Sequence, residues 1–598
     1  MARITFDGKN FYKEGRVHQI ISGAIHYFRV LPELWKDRLM KLKNCGFNSV
    51  ETYICWSLHE KQEGKFNFSG QLDFGRFIDE AREVGLDVII RPGPYICAET
   101  DFGGLPSWLL TYPDIELRCN NSIFMEKVYR YFHAIAPIIS ERLASNGGNI
   151  QMMQIENEYG SFGNDDRYKE NLLRLFRECG FDCLLFTADG TAPDMLNNGG
   201  IEGALHALTF GSNPAENLAA IGKYIGQPAF CAEYWNGWFN CYGENHHVRS
   251  ADNVCEEAKK FLELGASFNF YMFCGGTNFG MINGANYADG KYSFQTTSYD
   301  YGAPLTEAGD MTEKYYKLKK IIEGYTEEHN DYPVKNSRKK AYPKLRSQGF
   351  ASLLDNLASK RCIKSSFPLT FEKLGVDFGY VLYITQADIM EEGILCLRGL
   401  RDRAVISING KIRGVYGQDT ENTEIRLSKA DGKVRIEILV ENRGRCNYGC
   451  QLKDPKGILC GVLYNEKFLM NFENYPLEAE GLIENISYGV ADASSCCTSG
   501  FYRFVLSVDT PADTFLYPEG FINGCVYVNG KNIGRYCNYL PPQRTLYLPG
   551  ELLKKGENEI VVFETDGTAD PVISFFELPF YAAKDSESIC KEPKNAAL

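Results

Sequence analysis

The sequence lacks several features that would assign it to a particular class of protein. No stretch reaches the ~18 consecutive apolar residues that a membrane-spanning helix needs, and the N-terminus has no apolar segment of the kind found in signal peptides. No sustained run of lysine and arginine is present, and 64 basic against 77 acidic residues give a net charge of −13. These absences predict a cytoplasmic protein that binds neither membranes nor nucleic acid.

The sequence also lacks the ligand spacing of a metal site. Cys446 and Cys450 form a C-x3-C pair without a second pair of ligands nearby, and His26 and His59 look like metal ligands only in isolation. Most cysteines stand singly in apolar runs, as Cys45 does, where a thiol behaves as a small hydrophobe in a reducing compartment. We therefore expect no metal, no organic cofactor and no disulfide, and structural or hydrogen-bonding roles for the two histidines.

The first half of the chain alternates short apolar runs with longer amphipathic segments. Helical spacing of apolar residues predicts helices over Glu33 to Cys45, Leu72 to Val84, Asp166 to Cys179, Ala251 to Leu264 and Met311 to Tyr325. The apolar runs are His18 to Ala24, Asn48 to Cys55, Asp87 to Arg91, Ile150 to Ile155, Cys183 to Ala188, Glu202 to Phe210, Pro228 to Glu233 and Ser267 to Cys274. Eight β-then-α units predict an α/β fold, a (β/α)8 TIM barrel with its chemistry at the carboxyl ends of the strands.

After Tyr325 the pattern changes to short alternating strands separated by Gly and Asn, which predicts all-β modules. An internal repeat, Val405 to Lys411 and Val526 to Lys531, carries Asn-Gly in both copies and predicts two related β-sandwiches with type I′ hairpin turns. Such sandwiches either brace the barrel or an oligomer, or bind sugars. We divide the chain into a barrel (1–330), a linker (331–370), a first sandwich (371–475) and a second sandwich (476–598).

Two predicted barrel strands end in carboxylates. The fourth is followed by Glu156, Asn157 and Glu158, and the seventh ends at Glu233 among aromatic residues. Two carboxylates at a barrel mouth suit glycoside hydrolysis, in which one acts as acid/base and the other as nucleophile, ~5–5.5 Å apart for retention of configuration. Inversion needs ~6.5–9.5 Å, and the sequence spacing does not decide between the two.

An ordered set of motifs along the chain resembles the family 35 glycoside hydrolases, the β-galactosidases. The motifs are Ser22 to Arg29, Glu51 to Tyr53 with Trp56 and His59-Glu60, Arg91 to Glu99, Gly103 to Pro106, Gln154 to Gly160, Gly275 to Gly280, Thr297 to Tyr301, Val440 to Arg445 and Asn532 to Tyr536. The resemblance covers nearly the whole chain. It implies a TIM barrel followed by all-β sandwich domains of the jelly-roll, galactose-binding-like kind.

The resemblance also implies roles for individual residues. Glu158 is implied as the acid/base and Glu233 as the nucleophile, with Glu156 as a supporting residue. The residues implied to bind galactose hydroxyls are Tyr53, Glu99, Asn157 and Tyr301. Tyr301 is further expected to donate a hydrogen bond to Glu233, and Trp238 is expected either to form an apolar wall for the sugar or to pack in the core.

These observations together predict a retaining exo-β-galactosidase that removes terminal β-galactose from oligosaccharides or glycoconjugates. The alternatives are a related barrel glycosidase acting on another β-linked sugar, and a non-catalytic carbohydrate-binding protein, which would not need both carboxylates. Thr100 stands where relatives commonly have Trp, which we expect to open the mouth and favour β-1,3 linkages. The sequence leaves open whether the protein forms a homo-oligomer.

Overall fold

The computed structural model describes residues 3–221, 227–326, 332–417, 422–430, 432–490 and 498–584. The chain begins with a small antiparallel sheet of three strands, β1 (Ile4–Asp7), β2 (Asn10–Lys13) and β3 (Arg16–Val17). Among the described residues, no helix is both long enough and apolar enough to cross a membrane.

Eight parallel strands follow and close into a barrel, which confirms the predicted fold. Each lies in or overlaps one predicted apolar run. Closure comes from pairing of the last strand with the first, where Asn269 lies opposite Ser22. The strands are β4 (Ile21–Ile25), β5 (Ser49–Tyr53), β6 (Asp87–Arg91), β7 (Ile150–Gln154), β8 (Leu184–Gly190), β9 (Leu205–Phe210), β10 (Phe230–Trp235) and β11 (Ser267–Cys274).

The five predicted helices all form, within three residues of the predicted ends. Four of the five begin next to a side chain that caps a free backbone N–H group; Asp73, for example, accepts from the Arg76 N–H at 2.9 Å. The helices of this region are α1 (Trp35–Asn44), α2 (Trp56–His59), α3 (Phe74–Val84), α4 (Ser122–Ser140), α5 (Asp166–Glu178), α6 (Pro193–Gly199), α7 (Pro214–Ile221), α8 (Ala251–Glu263) and α9 (Glu313–Glu323).

The barrel interior changes from apolar to polar along its axis. Its lower part is filled by side chains from the strands and from the small N-terminal sheet, including Ile4, Phe11, Ile89, Met152 and Phe230. Its upper part contains the buried polar residues Glu51, Arg91, Gln154 and Asn269. The apolar layer closes the amino end of the barrel, so only the carboxyl end can admit a ligand.

The remaining strands form a small three-stranded sheet and two β-sandwiches. They are β12 (Ala285–Ala288), β13 (Lys291–Phe294), β14 (Leu345–Arg346), β15 (Gly349–Ser352), β16 (Ile363–Ser365), β17 (Gly379–Asp388), β18 (Gly393–Arg401), β19 (Arg403–Ile408), β20 (Lys411–Gly417), β21 (Asn422–Leu427), β22 (Lys433–Asn442), β23 (Cys446–Tyr448), β24 (Gly457–Tyr464), β25 (Lys467–Phe468), β26 (Phe472–Glu478), β27 (Gly500–Val508), β28 (Thr514–Tyr517), β29 (Asn523–Val528), β30 (Lys531–Cys537), β31 (Leu546–Leu548), β32 (Gly556–Glu564) and β33 (Val572–Phe576). A short helix, α10 (Phe371–Leu374), precedes β17.

Each sandwich consists of two sheets over its own apolar core. In the first, the sheet β16-β26-β17-β22-β19-β20 packs on β21-β18-β24-β25. In the second, β15-β27-β32-β29-β30 packs on β14-β33-β28-β31. The segment predicted as a linker, within its described part 332–370, contributes β14, β15 and β16 to these sheets as edge or near-edge strands. Residue 331 of that linker, and residues 491–497 and 585–598 of the predicted second sandwich, lie outside the described residues.

The predicted repeat between the sandwiches is confirmed in detail. β19 and β20 are joined through Asn409 (φ 50°) and Gly410 (φ 79°), and β29 and β30 through Asn529 (φ 49°) and Gly530 (φ 86°). Positive φ at both central residues is the requirement of a type I′ turn. Both hairpins pair next with equivalent strands, β22 and β32, so the two sheets share one strand order.

Buried hydrogen bonds and ion pairs connect the sandwiches to the barrel. The Arg445 guanidinium donates to Asp101 of the barrel at 2.8 Å and to Glu372 of the first sandwich at 2.7 Å. Thr297, in a loop above the barrel, donates through Oγ1 to the carbonyl of Arg535 in the second sandwich at 2.7 Å. Both loops involved run beside the carboxyl ends of the barrel strands.

Candidate active site

The two carboxylates singled out in the sequence lie at the carboxyl ends of β7 and β10. Glu158 follows β7 in the left-handed region (φ 46°), where its backbone N–H donates to the Ala188 carbonyl at 3.0 Å. Glu233 lies within β10, at a register shift against its neighbours. Local backbone irregularity of this kind directs side chains away from the regular strand pattern.

One pocket brings all seven predicted site residues together. It holds about 630 Å³ of empty space, including its open mouth. Its lining comprises the predicted Tyr53, Glu99, Asn157, Glu158, Glu233, Trp238 and Tyr301, together with Cys97, Ala98, Trp235, Phe239, Tyr271, Asn286 and Tyr448.

Glu233 is held by three hydrogen-bond donors. Its Oε1 accepts from the Tyr53 hydroxyl at 2.8 Å and from Arg91 Nη2 at 2.5 Å, and its Oε2 accepts from Trp235 Nε1 at 3.0 Å. These three donors fix the orientation of the carboxylate. We expected Tyr301 to supply the phenol donor, and this expectation is wrong because Tyr53 does so.

Glu158 has a contrasting environment. It accepts one side-chain hydrogen bond, from Thr209 Oγ1 at 2.7 Å. Burial, followed by repulsion from the Glu233 carboxylate, raises the pKa of Glu158 to about 8. One pocket therefore contains a carboxylate surrounded by donors and a carboxylic acid that keeps its proton near neutral pH.

The amide of Asn157 is oriented by hydrogen bonds from Arg91 and Gln154, which lie deeper in the barrel. Its Oδ1 accepts from Arg91 Nη2 at 2.6 Å and from Gln154 Nε2 at 3.0 Å. The carbonyl side of the amide is thus used within the protein. Its Nδ2 is the donor left to face a ligand.

The opposite wall is built from aromatic residues and Glu99. The Tyr299 hydroxyl donates to Glu99 Oε2, and burial raises the pKa of Glu99 to about 7. Tyr301 is buried with φ 63°, and Trp238 is 38% exposed beside it with ring centroids 6.4 Å apart. The exposure of Trp238 at the pocket favours the wall over core packing.

Comparison with known proteins agrees with this geometry. Residues 10–325 match the glycosyl hydrolases family 35, which is more than half of the chain. The chain belongs to this family. Residues 368–478 match the first all-beta domain of beta-galactosidase, and residues 499–558 match its galactose-binding domain. This family 35 member is therefore a glycoside hydrolase with the domain set of the β-galactosidases.

Curated relatives are similar over nearly their full length. The chain is 40% identical to human beta-galactosidase-1-like protein 2, with 96% of this chain and 91% of the relative covered. It is 38% identical to beta-galactosidase 1 of Dictyostelium discoideum, covering 94% and 91%. It is also 38% identical to the beta-galactosidase of Bos taurus, covering 94% and 90%.

Other predicted residues of this glycoside hydrolase lie outside the pocket lining. Glu156 pairs with Arg118 through two hydrogen bonds of 3.0 and 2.8 Å, which fits a supporting role. His59 bonds to the Tyr27 hydroxyl at 2.5 Å and to the Asn67 carbonyl at 2.8 Å, and Arg29 donates to His26 Nδ1 at 2.6 Å. In the described part of the chain, no cluster of His, Cys, Asp or Glu could hold a metal ion.

Thr100 does not open the pocket mouth, contrary to our expectation. The residue is 2% exposed, and its hydroxyl donates to the Cys97 carbonyl at 3.1 Å. Its side chain is used to fold the loop after β6 and is absent from the pocket lining. Any linkage preference must therefore come from other residues.

Several functional residues were not recognised in the sequence. Arg91 is the last residue of β6 and the first residue of the motif Arg91 to Glu99, so its position at a carboxyl strand end could have identified it as a site residue. Tyr448 could not have been found in this way, because it comes from β23, which lies between two strands of the first sandwich and far along the chain from the barrel. It reaches the pocket because β23 pairs with β12, where Ala285 lies opposite Cys446.

Proposed function

We propose that this family 35 enzyme is a retaining exo-β-galactosidase that removes terminal non-reducing β-D-galactose by double displacement. The observation that carries the proposal is the contrast between two carboxyl groups in one pocket. Glu233 is surrounded by three donors, while the pKa of Glu158 is raised to about 8. Such a pair divides naturally into nucleophile and proton donor.

In the first step, Glu233 attacks the anomeric carbon and Glu158 gives its proton to the departing glycosidic oxygen. The C–O bond to the leaving group breaks as the glycosyl ester forms. Asn157 Nδ2 is in position to donate to a sugar hydroxyl, an interaction that strengthens as positive charge develops on the ring.

In the second step, water replaces the leaving group. Esterification removes the charge of Glu233, so the repulsion that raises the pKa of Glu158 disappears and its carboxylate can accept a proton from water. Attack of that water breaks the ester, releases galactose with retained configuration and restores both groups.

Terminal specificity fits the shape of the site. The apolar layer of the barrel closes the floor, and the aromatic wall of Trp238 and Tyr301 borders the sugar position. A pocket of this kind admits the end of a chain rather than its middle.

Azide trapping tests the division of roles. Glu233→Gly should abolish hydrolysis, and azide should restore turnover by entering from the vacated face to give the α-galactosyl azide. Glu158→Ala should still form the ester with an activated aryl galactoside, and azide should then give the β-galactosyl azide. NMR of the product reads its anomeric configuration. Reversed products would exchange the two roles, and initial release of α-galactose by the wild type would refute retention.

Sugar specificity is tested separately with matched aryl glycosides. We expect a preference for the β-galactoside over the β-glucoside of more than about tenfold, because polar groups that bind an axial 4-hydroxyl are left unpaired by an equatorial one. Comparable kcat/KM values would support the related barrel glycosidase instead. No turnover of any glycoside, with retained sugar binding, would support the carbohydrate-binding alternative.

The proposal also includes a cellular location, and it leaves the oligomeric state to experiment. The cysteines in the described part of the chain are all free, which fits a reducing compartment such as the cytoplasm. Galactoside oligosaccharides are the expected partners, with neither nucleic acid nor membrane. Cell fractionation tests the location, and sedimentation of the purified protein tests whether it forms a homo-oligomer.

A further inference from the structure

A further carboxyl group, that of Glu51, is buried beneath the proposed nucleophile. Glu51 precedes Tyr53 by two residues on β5, so both side chains point to the barrel interior, with Glu51 one layer deeper. It is 1% exposed. Its Oε1 lies 3.9 Å from Arg91 Nε, and its Oε2 lies 3.4 Å from Asn269 Nδ2.

Arg91 lies between two acidic side chains and is shared unequally. Its Nη2 contacts Glu233 at 2.5 Å and Asn157 at 2.6 Å, and its Nε donates to Gln154. Arg91 Nη1 and Glu51 Oε1 are both buried and have no hydrogen-bond partner among the described residues. Arg91 therefore makes its short contacts with Glu233 and Asn157, and its ion pair with Glu51 is longer, at 3.9 Å.

The charges of this group do not balance when both acids are ionised. The titratable or charged groups that face Glu51 are Arg91, Glu233 and the Tyr53 phenol. Burial and the charge of Glu233 raise the pKa of Glu51 to about 7, although Arg91 opposes the rise. After esterification of Glu233, Arg91 would be a buried cation without its partner, a costly arrangement that Glu51 can relieve.

We propose that Glu51 is a positioning residue that competes with Glu233 for Arg91. Before attack, Glu51 weakens the ion pair between Arg91 and the Glu233 carboxylate. While the glycosyl ester exists, Glu51 itself pairs with Arg91. This proposal rests on the proposed role of Glu233 as nucleophile.

The proposal predicts opposite effects on the two chemical steps. In Glu51→Gln, Arg91 pairs with Glu233 alone. The Glu233 carboxylate then attacks the sugar more slowly, but it is a better leaving group when water breaks the ester. Ester formation should slow by about tenfold, whereas ester hydrolysis should keep its rate or become faster. A merely structural role would slow both steps together or lower stability only.

Pre-steady-state kinetics with 2,4-dinitrophenyl β-galactoside separates the steps, because this leaving group needs little protonation. The burst rate reports ester formation, and the steady-state rate reports hydrolysis where hydrolysis is limiting. Glu51→Asp keeps the charge and should retain the burst rate within about threefold of wild type. This variant still tests the proposal if Glu51→Gln fails to fold. Glu478→Gln is the control, since it removes a partly buried carboxyl with a pKa of about 8 from a different contact, the Asp377 N–H.

The pH dependence of the burst gives a second readout. Ionisation of Glu51 as pH rises through about 7 should speed ester formation in wild type, while Glu51→Gln should show no rise. Equal slowing of both steps, or the same pH profile in both proteins, would overturn the role of Glu51. Failure of azide to rescue Glu233→Gly would instead remove the nucleophile assignment, so the two failures are distinguishable.

Discussion

At the scale of single residues, the chemistry depends on how neighbours divide a small number of charges. Arg91 contacts Glu233 and Asn157 through the same nitrogen, so one side chain orients both the proposed nucleophile and the amide proposed to bind the sugar. Among the described residues no cationic side chain makes such a contact with Glu158, and burial and the Glu233 charge raise its pKa to about 8. The roles proposed for the two glutamates therefore rest on their neighbours rather than on the residue type.

The raised pKa of Glu158 predicts the alkaline side of the pH profile. An acid catalyst must be protonated, so kcat/KM for an alkyl galactoside should fall as pH rises through about 8. For the 2,4-dinitrophenyl galactoside, which leaves without protonation, this decline should be absent or strongly reduced. Initial rates from pH 5 to pH 9.5 on both substrates check this. The same alkaline decline for both would show that a group other than the acid controls it.

Tyr448 predicts where selectivity for the leaving group arises. It is 43% exposed and lines the pocket together with Glu158, the proposed proton donor to the leaving group. Tyr448→Ala should lower kcat/KM for galactosyl disaccharides by about tenfold, the scale of a lost sugar–aromatic contact, and should spare β-galactosyl fluoride, which has no leaving sugar. Any difference in kcat/KM between β-1,3 and β-1,4 disaccharides should become smaller in the same variant. A uniform loss on disaccharide and fluoride would place Tyr448 in folding instead.

At the scale of elements, the pocket depends on the loop that follows β11. Thr277 and Ser298 both donate to the buried Glu307, at 2.6 and 2.7 Å, and so fix the two ends of the segment. Tyr299 and Tyr301 extend from this segment to Glu99 and the pocket. The second sandwich supports the loop from behind through Thr297 and Arg535.

Gly534 on β30 tests this support. A Cβ there would lie 2.1 Å from Thr297 Cγ2, at φ +134°. Gly534→Ala should destabilise the protein by about 1–3 kcal/mol and raise KM, because the loop that carries Tyr301 must move. Gly556→Ala in the same sheet is the control, since that site has φ +98° but nothing within 4 Å of the new Cβ. Urea denaturation and KM are measured for both, and equal effects would mean that backbone strain alone is responsible.

At the scale of the whole molecule, the barrel and sandwiches share buried charges. Arg445 is fully buried between Asp101 and Glu372, which belong to different modules. Removal of one partner from such a contact typically costs about 3–5 kcal/mol. The sandwiches thus complete the barrel, in addition to supplying Tyr448 to its pocket.

Buried carboxyl groups across the molecule predict a stability that falls with pH. The pKa values of Glu51 and Glu99 are raised to about 7 and those of Glu307 and Glu564 to about 8, chiefly by burial. The folded state therefore binds more protons than the unfolded chain, and the stabilisation is lost as pH rises through 7 to 8. Below pH 6.5 the histidines with lowered pKa values oppose this trend.

We accordingly expect a lower melting temperature at pH 8.5 than at pH 6.5, measured by calorimetry at constant ionic strength. Glu307→Gln should flatten part of this dependence, because it removes one of the groups that bind the extra protons. A melting temperature that rises between these two pH values would contradict the sign of the effect.

The sequence by itself determined the barrel, the paired sandwiches and seven of the fourteen residues that line the pocket. Apolar periodicity is local, and carboxyl ends of parallel strands meet at one face, so Glu158 and Glu233 could be placed together without coordinates. The tertiary structure decided what depends on contacts between distant segments. It assigned the phenol on Glu233 to Tyr53 instead of Tyr301, buried Thr100 away from the mouth, and brought Tyr448 and Glu51 to the site. Side-chain direction and burial arise from packing of segments far apart in the chain, and no local pattern encodes them.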